Sequence, residues 1–270
     1  MILVTGATGL VGERLLPRLV DANRSVRALV RPGKEVAAGV TRVEGDLFDT
    51  ASLAKAVKGV SAIVHLAAVF RTPDTDLIWK SNLEGTQYLI AAAKTHASEA
   101  RFIMASTALI YDMASPHPGR EDDAAEPTLA YPASKLAAEK ELRESGLNWS
   151  ILRLPFIYGD KDGHLESVPK FAIDAKWHPA QKMSMIHHRD VANALSLALA
   201  GVMDGRVVNI VDDAPTSIYE LAELVGETIA PSAEPLANPW YMHADGSLAR
   251  NLGFKPIVRT VYQAVQEKLM

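Results

Sequence analysis

Tyr131 and Lys135 stand four residues apart in YPASK, a spacing that puts a phenol and an ammonium on one face of a helix. A free tyrosine ionises near pH 10, too high for ready proton exchange at neutrality, and a neighbouring ammonium favours the phenolate. The pair therefore predicts a general acid or base built on Tyr131, its pKa lowered by Lys135. Upstream, the apolar run RFIMAS ends in the hydroxyls of Ser106 and Thr107, either of which is placed to bind a substrate oxygen. A third constellation opens the chain, where TGATGLVG sets Gly6, Gly9 and Gly12 directly after ILV, with Thr5 before the first glycine. The Gly-x-x-Gly-x-x-Gly spacing differs from GxGxxG but serves the same end. It allows a tight turn and a close approach of backbone to a pyrophosphate, held by N–H groups along Thr8, Leu10 and Val11 at the start of the next helix.

Those groups need a frame. Apolar runs rich in Val and Ile lie at 2–4, 25–30, 40–45, 61–66, 101–106 and 149–154, separated by helix-length segments near 10–22, 51–58, 75–97 and 131–145. The rhythm is βαβ, which predicts an α/β protein: a Rossmann-type, doubly wound parallel sheet with ligands at its carboxyl edge. After residue 155 the rhythm loosens under frequent prolines, then offers a helix near 189–201 and a strand at 206–211. The expectation is a dinucleotide-binding core over 1–155, with return elements about 186–212, and a small C-terminal substrate-binding lobe from 156–185 and 213–270. The stretch 112–130, with Pro116, Pro118 and Gly119, reads as a long surface loop able to cover the site.

The carboxyl ends of the predicted strands refine the cofactor. A 2′-hydroxyl is bound by an acidic residue about 20 positions beyond the glycine loop, whereas a 2′-phosphate needs a cation there. This chain has RALVRPGK, with Arg31 at the end of the second strand, Arg27 and Lys34 near it and no carboxylate before Glu35, so NADP is favoured over NAD. GDLFD supplies Asp46 and Leu47 at the third strand end, with Asp49, Thr50 and Ser52 better placed than Asp46 to cap the next helix. HLAA ends the fourth strand in Leu66, Ala67 and Ala68, small enough to admit a flat cofactor, while His65 reads as a strand residue.

Composition bounds the function classes. The 270 residues carry a formal net charge of -4 with scattered basic residues, which argues against nucleic-acid binding. Without a run of eighteen apolar residues or a basic n-region before an apolar one, the expectation is a cytoplasmic protein that does not engage a membrane. The absence of cysteine removes disulfides and thiolate chemistry.

In TGATGLVG, GDLFD, HLAA, NLEGT (82–86), STALIYD (106–112), YPASK, LPFIYGD (154–160) and IHHRDVANAL (186–195), the sequence resembles the extended short-chain dehydrogenase/reductases. Within them it is similar to the NAD-dependent epimerase/dehydratase group and the dihydroflavonol-type reductases, over nearly the whole chain. The resemblance implies Thr107 as the catalytic hydroxyl beside Tyr131 and Lys135, and Ser106 and Asn82 beside the cofactor. It also implies Pro155, Phe156 and Ile157 against the nicotinamide and LGFKP (252–256) closing the substrate lobe.

Two departures bear on substrate. Nucleotide-sugar members of the family carry an asparagine where this chain has Phe156, and an arginine where it has Met183. An apolar pocket from Phe156, Met183 and Met185, with Val69 and His187 also placed at the substrate, suits a hydrophobic carbonyl compound better than a diphosphate. No metal is expected, since adjacent His187 and His188 on one strand point to opposite faces, and Asp190 reads as the cap of the following helix. The reading is an NAD(P)-dependent oxidoreductase moving a hydride between nicotinamide and a carbonyl or hydroxyl carbon of a small, fairly apolar substrate. The alternatives are a nucleotide-sugar epimerase or dehydratase with transiently reduced NAD(P), and a non-catalytic NADP sensor. A homodimer packed through 75–97 and 131–145 is expected.

Overall fold

Four consecutive buried residues, Ile2–Thr5, form strand β1, and the alternation of apolar strands with amphipathic helices continues from it. In this computed structural model, which describes residues 1–112 and 114–270, the order is α1 Leu10–Asp21, β2 Val26–Val30, β3 Val40–Glu44, α2 Thr50–Val57, β4 Ala62–His65 and α3 Thr75–Trp79. A π-helical turn, Lys80–Glu84, leads into α4 Gly85–His96, followed by β5 Arg101–Thr107, α5 Ala130–Arg143 and β6 Asn148–Leu154. Shorter elements come next: β7 Phe156–Tyr158, α6 Val168–Asp174, β8 Lys182–Met183, β9 Met185–His187, α7 His188–Leu199 and β10 Arg206–Asn209. The chain closes with β11 Thr216–Ser217, α8 Ile218–Leu224, α9 Ser247–Asn251 and α10 Val261–Gln266.

A seven-stranded sheet in the order β10-β6-β5-β4-β1-β2-β3 confirms the α/β, Rossmann-type expectation. The pairs β1–β2, β1–β4, β2–β3 and β4–β5 are parallel. Chain order runs outward from β1 to β3 and restarts on the other side with β4, so β1 and β4 flank the switch point at which ligands of open α/β sheets bind.

The chain divides into two units. The first comprises Met1–Ile110, Pro127–Leu152 and Leu195–Val207. Its core sets Leu3, Ile63, Phe102 and Met104 of the sheet with Leu53, Leu89 and Leu142 from α2, α4 and α5, all fully buried. Each such side chain contributes about 1.5–3 kcal/mol. Helix α1 turns Leu15, Leu16 and Leu19 inward and keeps Pro17, which breaks its hydrogen-bond ladder, on the exposed side, where water can satisfy the freed carbonyl. The single helix expected over 75–97 is instead α3, the π turn and α4: one residue too many is fitted between two α-helical runs, and Asn82, in that turn, is fully buried.

The second unit comprises Tyr111–Glu126, Arg153–Ala194 and Val208–Met270. Its smaller core gathers Tyr158, Leu165, Val168, Met185, Ile218, Leu221, Val258 and Val261 around two strand pairs, parallel β7–β9 and antiparallel β11–β8. Met113, inside the stretch read as a covering loop, lies outside the described residues. The part of that stretch within this unit is tied down. Arg153 donates to the Tyr111 hydroxyl (3.1 Å) and to the carbonyl of Glu121 (3.2 Å), the Tyr111 hydroxyl donates to Asn209 (2.6 Å), and Gly119 bridges Ala244.

Asp190 does not cap α7. The helix begins at His188, and the Asp190 carboxylate reaches out of its first turn to accept the backbone N–H groups of Ile257 (2.5 Å) and Val258 (2.9 Å). The carboxylate acts at long range, clasping the C-terminal segment to α7. Replacing it by alanine leaves two amides without that acceptor, so Asp190→Ala should cost about 2–4 kcal/mol in urea unfolding, with Asp190→Asn intermediate. An unchanged unfolding midpoint in both variants would show that the clasp carries no stability.

Candidate active site

The glycine loop joins β1 to α1 with no room for side chains at two of its glycines. Gly6 adopts φ +69°, and a Cβ there would sit 2.5 Å from the nitrogen of Ala67 and 2.7 Å from the carbonyl carbon of Leu66. A side chain at Gly12 would collide with the Gly6 carbonyl oxygen, while the Gly9 N–H donates to that oxygen at 3.1 Å. Gly9 is also the N-cap of α1 and offers no capping side chain, so the first amides of this twelve-residue helix keep their donors for an anion. The space that absent side chains leave, and the donors facing it, fit the pyrophosphate of a dinucleotide.

Beside this loop, β4 ends in a completely buried histidine. The Thr86 hydroxyl donates to the carbonyl of Asn82 at 2.6 Å, so it accepts from His65 Nε2 at 2.9 Å; His65 Nδ1 then accepts from the Thr5 hydroxyl at 2.6 Å. One tautomer satisfies all three contacts. Burial, followed by the charge of Lys135, drives the ring pKa down to about 3, so His65 is neutral. A second bridge starts from the π turn: Asn82 accepts from the N–H of Val69 (2.7 Å) and donates to its carbonyl (3.0 Å) and to the Ser134 hydroxyl (3.1 Å). Ser134 donates in turn to the carbonyl of Tyr131 at 2.8 Å. Asn82, predicted at the cofactor, thus has its amide engaged in fixing the loop after β4 against the helix that carries Tyr131.

Thr107, Tyr131 and Lys135 all lie in the first unit, on the end of β5 and on the first two turns of α5. The Thr107 side chain acts on the Tyr131 phenol from the end of β5. The lowered phenol expected from Lys135 is not what the site shows. Burial dominates and pushes Tyr131 up to about 12, and the groups pulling it back are Thr107 and Arg71. Lys135 is itself 2% exposed; burial draws it down to about 8, against the charge of Glu139 one turn further along. Ser106 donates to Glu139 at 2.5 Å, joining the end of β5 to the same helix. Glu139 was missed in the sequence, although its position four residues after Lys135 is the signal for an ion pair on one helix face.

The remaining predicted residues fall in both units. Arg31 is exposed just past β2, whereas Arg27 is spent on the end of α2, donating to the carbonyls of Ala56 (2.7 Å) and Lys58 (2.8 Å). Asp46 accepts from Phe48 N–H at 2.9 Å and Asp49 caps α2 by accepting from Ala51 N–H at 3.0 Å. Leu47, Leu66, Ala67 and Val69 are partly buried, and Ala68 is exposed. In the second unit Pro155, Phe156 and Ile157 are partly buried, and the Phe156 ring stacks on His164 at 4.0 Å. Met183 and Met185 are packed into the core of that unit, leaving Phe156 as the one of these three apolar residues with appreciable exposure. His187 has both ring nitrogens occupied, Nδ1 by Arg189 N–H (3.1 Å) and Nε2 by the carbonyl of Leu269 (2.9 Å). His187 ends β9 and His188 begins α7, so the two do not share a strand as the sequence reading assumed; His188 pairs with Asp162 at 2.8 Å.

With this geometry, the chain can be set beside known proteins. A model of the NAD dependent epimerase/dehydratase family matches residues 2–211. A curated relative, the 4-hydroxy-2-methyl-3-oxo-4-farnesyl-3,4-dihydroquinoline-1-oxide ketoreductase of Stigmatella aurantiaca, is 29% identical over 256 residues, covering 86% of this chain and 74% of that protein. A short-chain dehydrogenase/reductase superfamily protein from Agrobacterium tumefaciens with bound NAD is 27% identical and superposes with a TM-score of 0.81, covering 99% of this chain and 95% of that one. MoeE5 in complex with UDP-glucose and NAD is 25% identical, also with a TM-score of 0.81, over 99% of this chain and 96% of its own.

The His65 clamp generates a pH prediction. The unfolded chain protonates this ring near 6.5 and the folded chain near 3, so between those values the unfolded state holds the extra proton and stability falls as pH falls. Across the window the loss is about 5 kcal/mol. His65→Gln, which keeps one donor and one acceptor, should cost about 1–2 kcal/mol at pH 7 and be no less stable than the parent at pH 4, where the parent has lost most of that stability. Urea unfolding at the two pH values measures it, and an equal deficit at both would mean that His65 is not the titrating group.

Proposed function

The chain belongs to the NAD dependent epimerase/dehydratase family, and we propose that it is an NADP-preferring reductase or dehydrogenase acting on the carbonyl or hydroxyl carbon of a small, fairly apolar substrate. The observation that carries this reading is Tyr131 on the first turn of α5, acted on by Thr107 from the end of β5 and followed one turn on by the buried Lys135. Bound in the glycine loop, the nicotinamide dinucleotide supplies or accepts a hydride at the substrate carbon. Thr107 orients the substrate oxygen; Tyr131 gives that oxygen its proton in reduction and takes it in oxidation. The charge of Lys135 favours the phenolate left after donation. Gly6, Thr8, Gly9, Leu10 and Val11 would hold the pyrophosphate, with Asp46, Leu47, Leu66, Ala67 and Ala68 beside the adenosine and ribose.

Arg31 supports NADP, because it stands exposed at the end of β2 and the first carboxylate after it, Glu35, is paired with Arg42 at 3.1 Å. Substrate binding is assigned to 156–185 and 213–270, where Phe156 presents an aromatic surface in place of a polar anchor. The ketoreductase relative supports the redox reading. MoeE5, bound to UDP-glucose, favours the other one: conversion of a nucleotide-sugar without net redox change, through the same Thr107, Tyr131 and Lys135. A homodimer through α3, α4 and α5 would cover Leu77, Trp79 and Tyr88, large apolar side chains left exposed on the first two of these helices.

Two measurements test the proposal. Tyr131→Phe should lower turnover by about 100-fold or more while leaving NADPH binding, followed by fluorescence, unchanged; full activity in this variant would remove Tyr131 from the chemistry. NADPH and NADH should be consumed stoichiometrically with apolar ketones and aldehydes, NADPH with the lower KM. Conversion of a nucleotide-sugar with no net change in cofactor would instead establish the epimerase or dehydratase reading.

A further inference from the structure

Phe70 and Arg71, directly after the small residues that end β4, form a layered contact with Tyr131 that nothing in the sequence motifs announces. The Phe70 ring is nearly half exposed, yet its centroid lies 4.3 Å from that of Tyr131, with the two planes 35° apart. The Arg71 guanidinium carbon lies 5.2 Å from the centroid of the same Phe70 ring. To reach it the chain takes Arg71 through φ +59°, a left-handed conformation that costs a residue with a side chain about 1–2 kcal/mol. Such strain persists where surrounding contacts hold it, and it concentrates at functional sites.

We propose that Arg71 is a positioning residue for proton exchange at Tyr131, a second cation presented from the loop between β4 and α3 across the Phe70 ring, complementing Lys135 on α5. The proposal rests on the reading of Tyr131 as the proton-exchanging group. Arginine suits the place better than lysine: its planar, weakly hydrated guanidinium lies flat on an aromatic face and stays charged when partly removed from water. Arg71 and Tyr131 each favour the charged form of the other. The groups around the phenol are mixed in sign. Lys135 lies one turn on along α5, Thr107 acts on it from β5, His65 on β4 is neutral, and the opposing carboxylate, Glu139, lies a further turn along α5, bound by Ser106. Phenolate formation during turnover still meets a positive field from two elements, which offsets the burial that holds the phenol protonated.

The test reads the phenol directly in the full-length chain. With 3,5-difluorotyrosine placed at position 131, which ionises at lower pH than tyrosine, fluorine NMR follows the phenolate without substrate. Arg71→Gln should raise its pKa by about 0.5–1 pH unit, Arg71→Lys should recover most of that difference, and Phe70→Leu should give an intermediate rise. In the unlabelled enzyme, Arg71→Gln should lower kcat for alcohol oxidation by about 3–10-fold near pH 7. The loss should shrink as pH rises, with substrate KM within about twofold. An unmoved phenol pKa in Arg71→Gln, in a protein with parental thermal stability, overturns the proposal, and so does a loss of kcat equal at every pH. If Tyr131→Phe proves fully active while the difluorotyrosine pKa still moves with Arg71, the proton-exchange reading has failed and the electrostatic contact has not.

Discussion

Burying the ammonium of Lys135 is the constraint on which the first unit is organised. An ion taken out of water loses several kcal/mol of solvation even after the protein relaxes, and the loss has to be met by neighbouring groups. Glu139, one turn on, supplies the opposing charge, and its carboxylate is held by the Ser106 hydroxyl at 2.5 Å. The neighbour on β4, His65, cannot also be charged without repelling Lys135. Thr5 and Thr86 lock it in the neutral tautomer at 2.6 and 2.9 Å. A single buried charge thus couples the strand that feeds the glycine loop, the end of β5, α4 and α5. Disturbing any one of them exposes or unbalances the ammonium.

The π turn follows from the same economy of partners. Asn82 must face inward to satisfy both backbone groups of Val69 and still reach Ser134, and a regular α-helix through 75–96 would rotate it by the one residue that the wide turn absorbs. The result is a helix broken in register but continuous in direction. Its broken turn holds the loop after β4 that carries Val69, Phe70 and Arg71, and through Ser134 it meets the backbone of Tyr131. The aromatic and cationic groups after β4 are therefore set relative to the phenol by two hydrogen-bonded bridges rather than by a mobile loop.

Much of this was legible in the sequence because it rests on local rules. The period of the apolar residues placed β1 to β6, α1, α2 and α5 to within a residue or two and read α3 and α4 as one helix, since each element buries one face against the next. The glycine spacing was legible because the requirement for no side chain at Gly6 and Gly12 is stated directly by the residue type. What escaped depends on partners far along the chain. Asp190 looked like a cap because aspartate is a favoured N-cap residue and stands at the start of α7, yet its carboxylate serves Ile257 and Val258, 67 and 68 residues on. Arg71 escaped because a left-handed arginine leaves no trace in composition. The pKa of Tyr131 escaped because the spacing of Tyr131 and Lys135 reports their proximity and not the burial that opposes it.

The hydroxyl pair of Thr107 and Tyr131 is indifferent to what lies beyond the reacting carbon, so discrimination among substrates must come from other surfaces. In the second unit, Phe156 is held face to face with His164, whose Nδ1 is fixed on the carbonyl of Ile157 at 2.6 Å, giving a rigid aromatic surface. Three of the arginines of that unit are engaged internally: Arg153 with Tyr111, and Arg250 and Arg259 with Asp213 at 2.8 and 2.7 Å. Recognition of a diphosphate favours cations in forked, bidentate geometry, and freeing any of these three would break a hydrogen bond that it now makes. Stacking against an aromatic surface carries no such penalty. For a flat, weakly polar carbonyl compound the cost of leaving water is small, which is the physical ground of the proposal that the substrate is apolar.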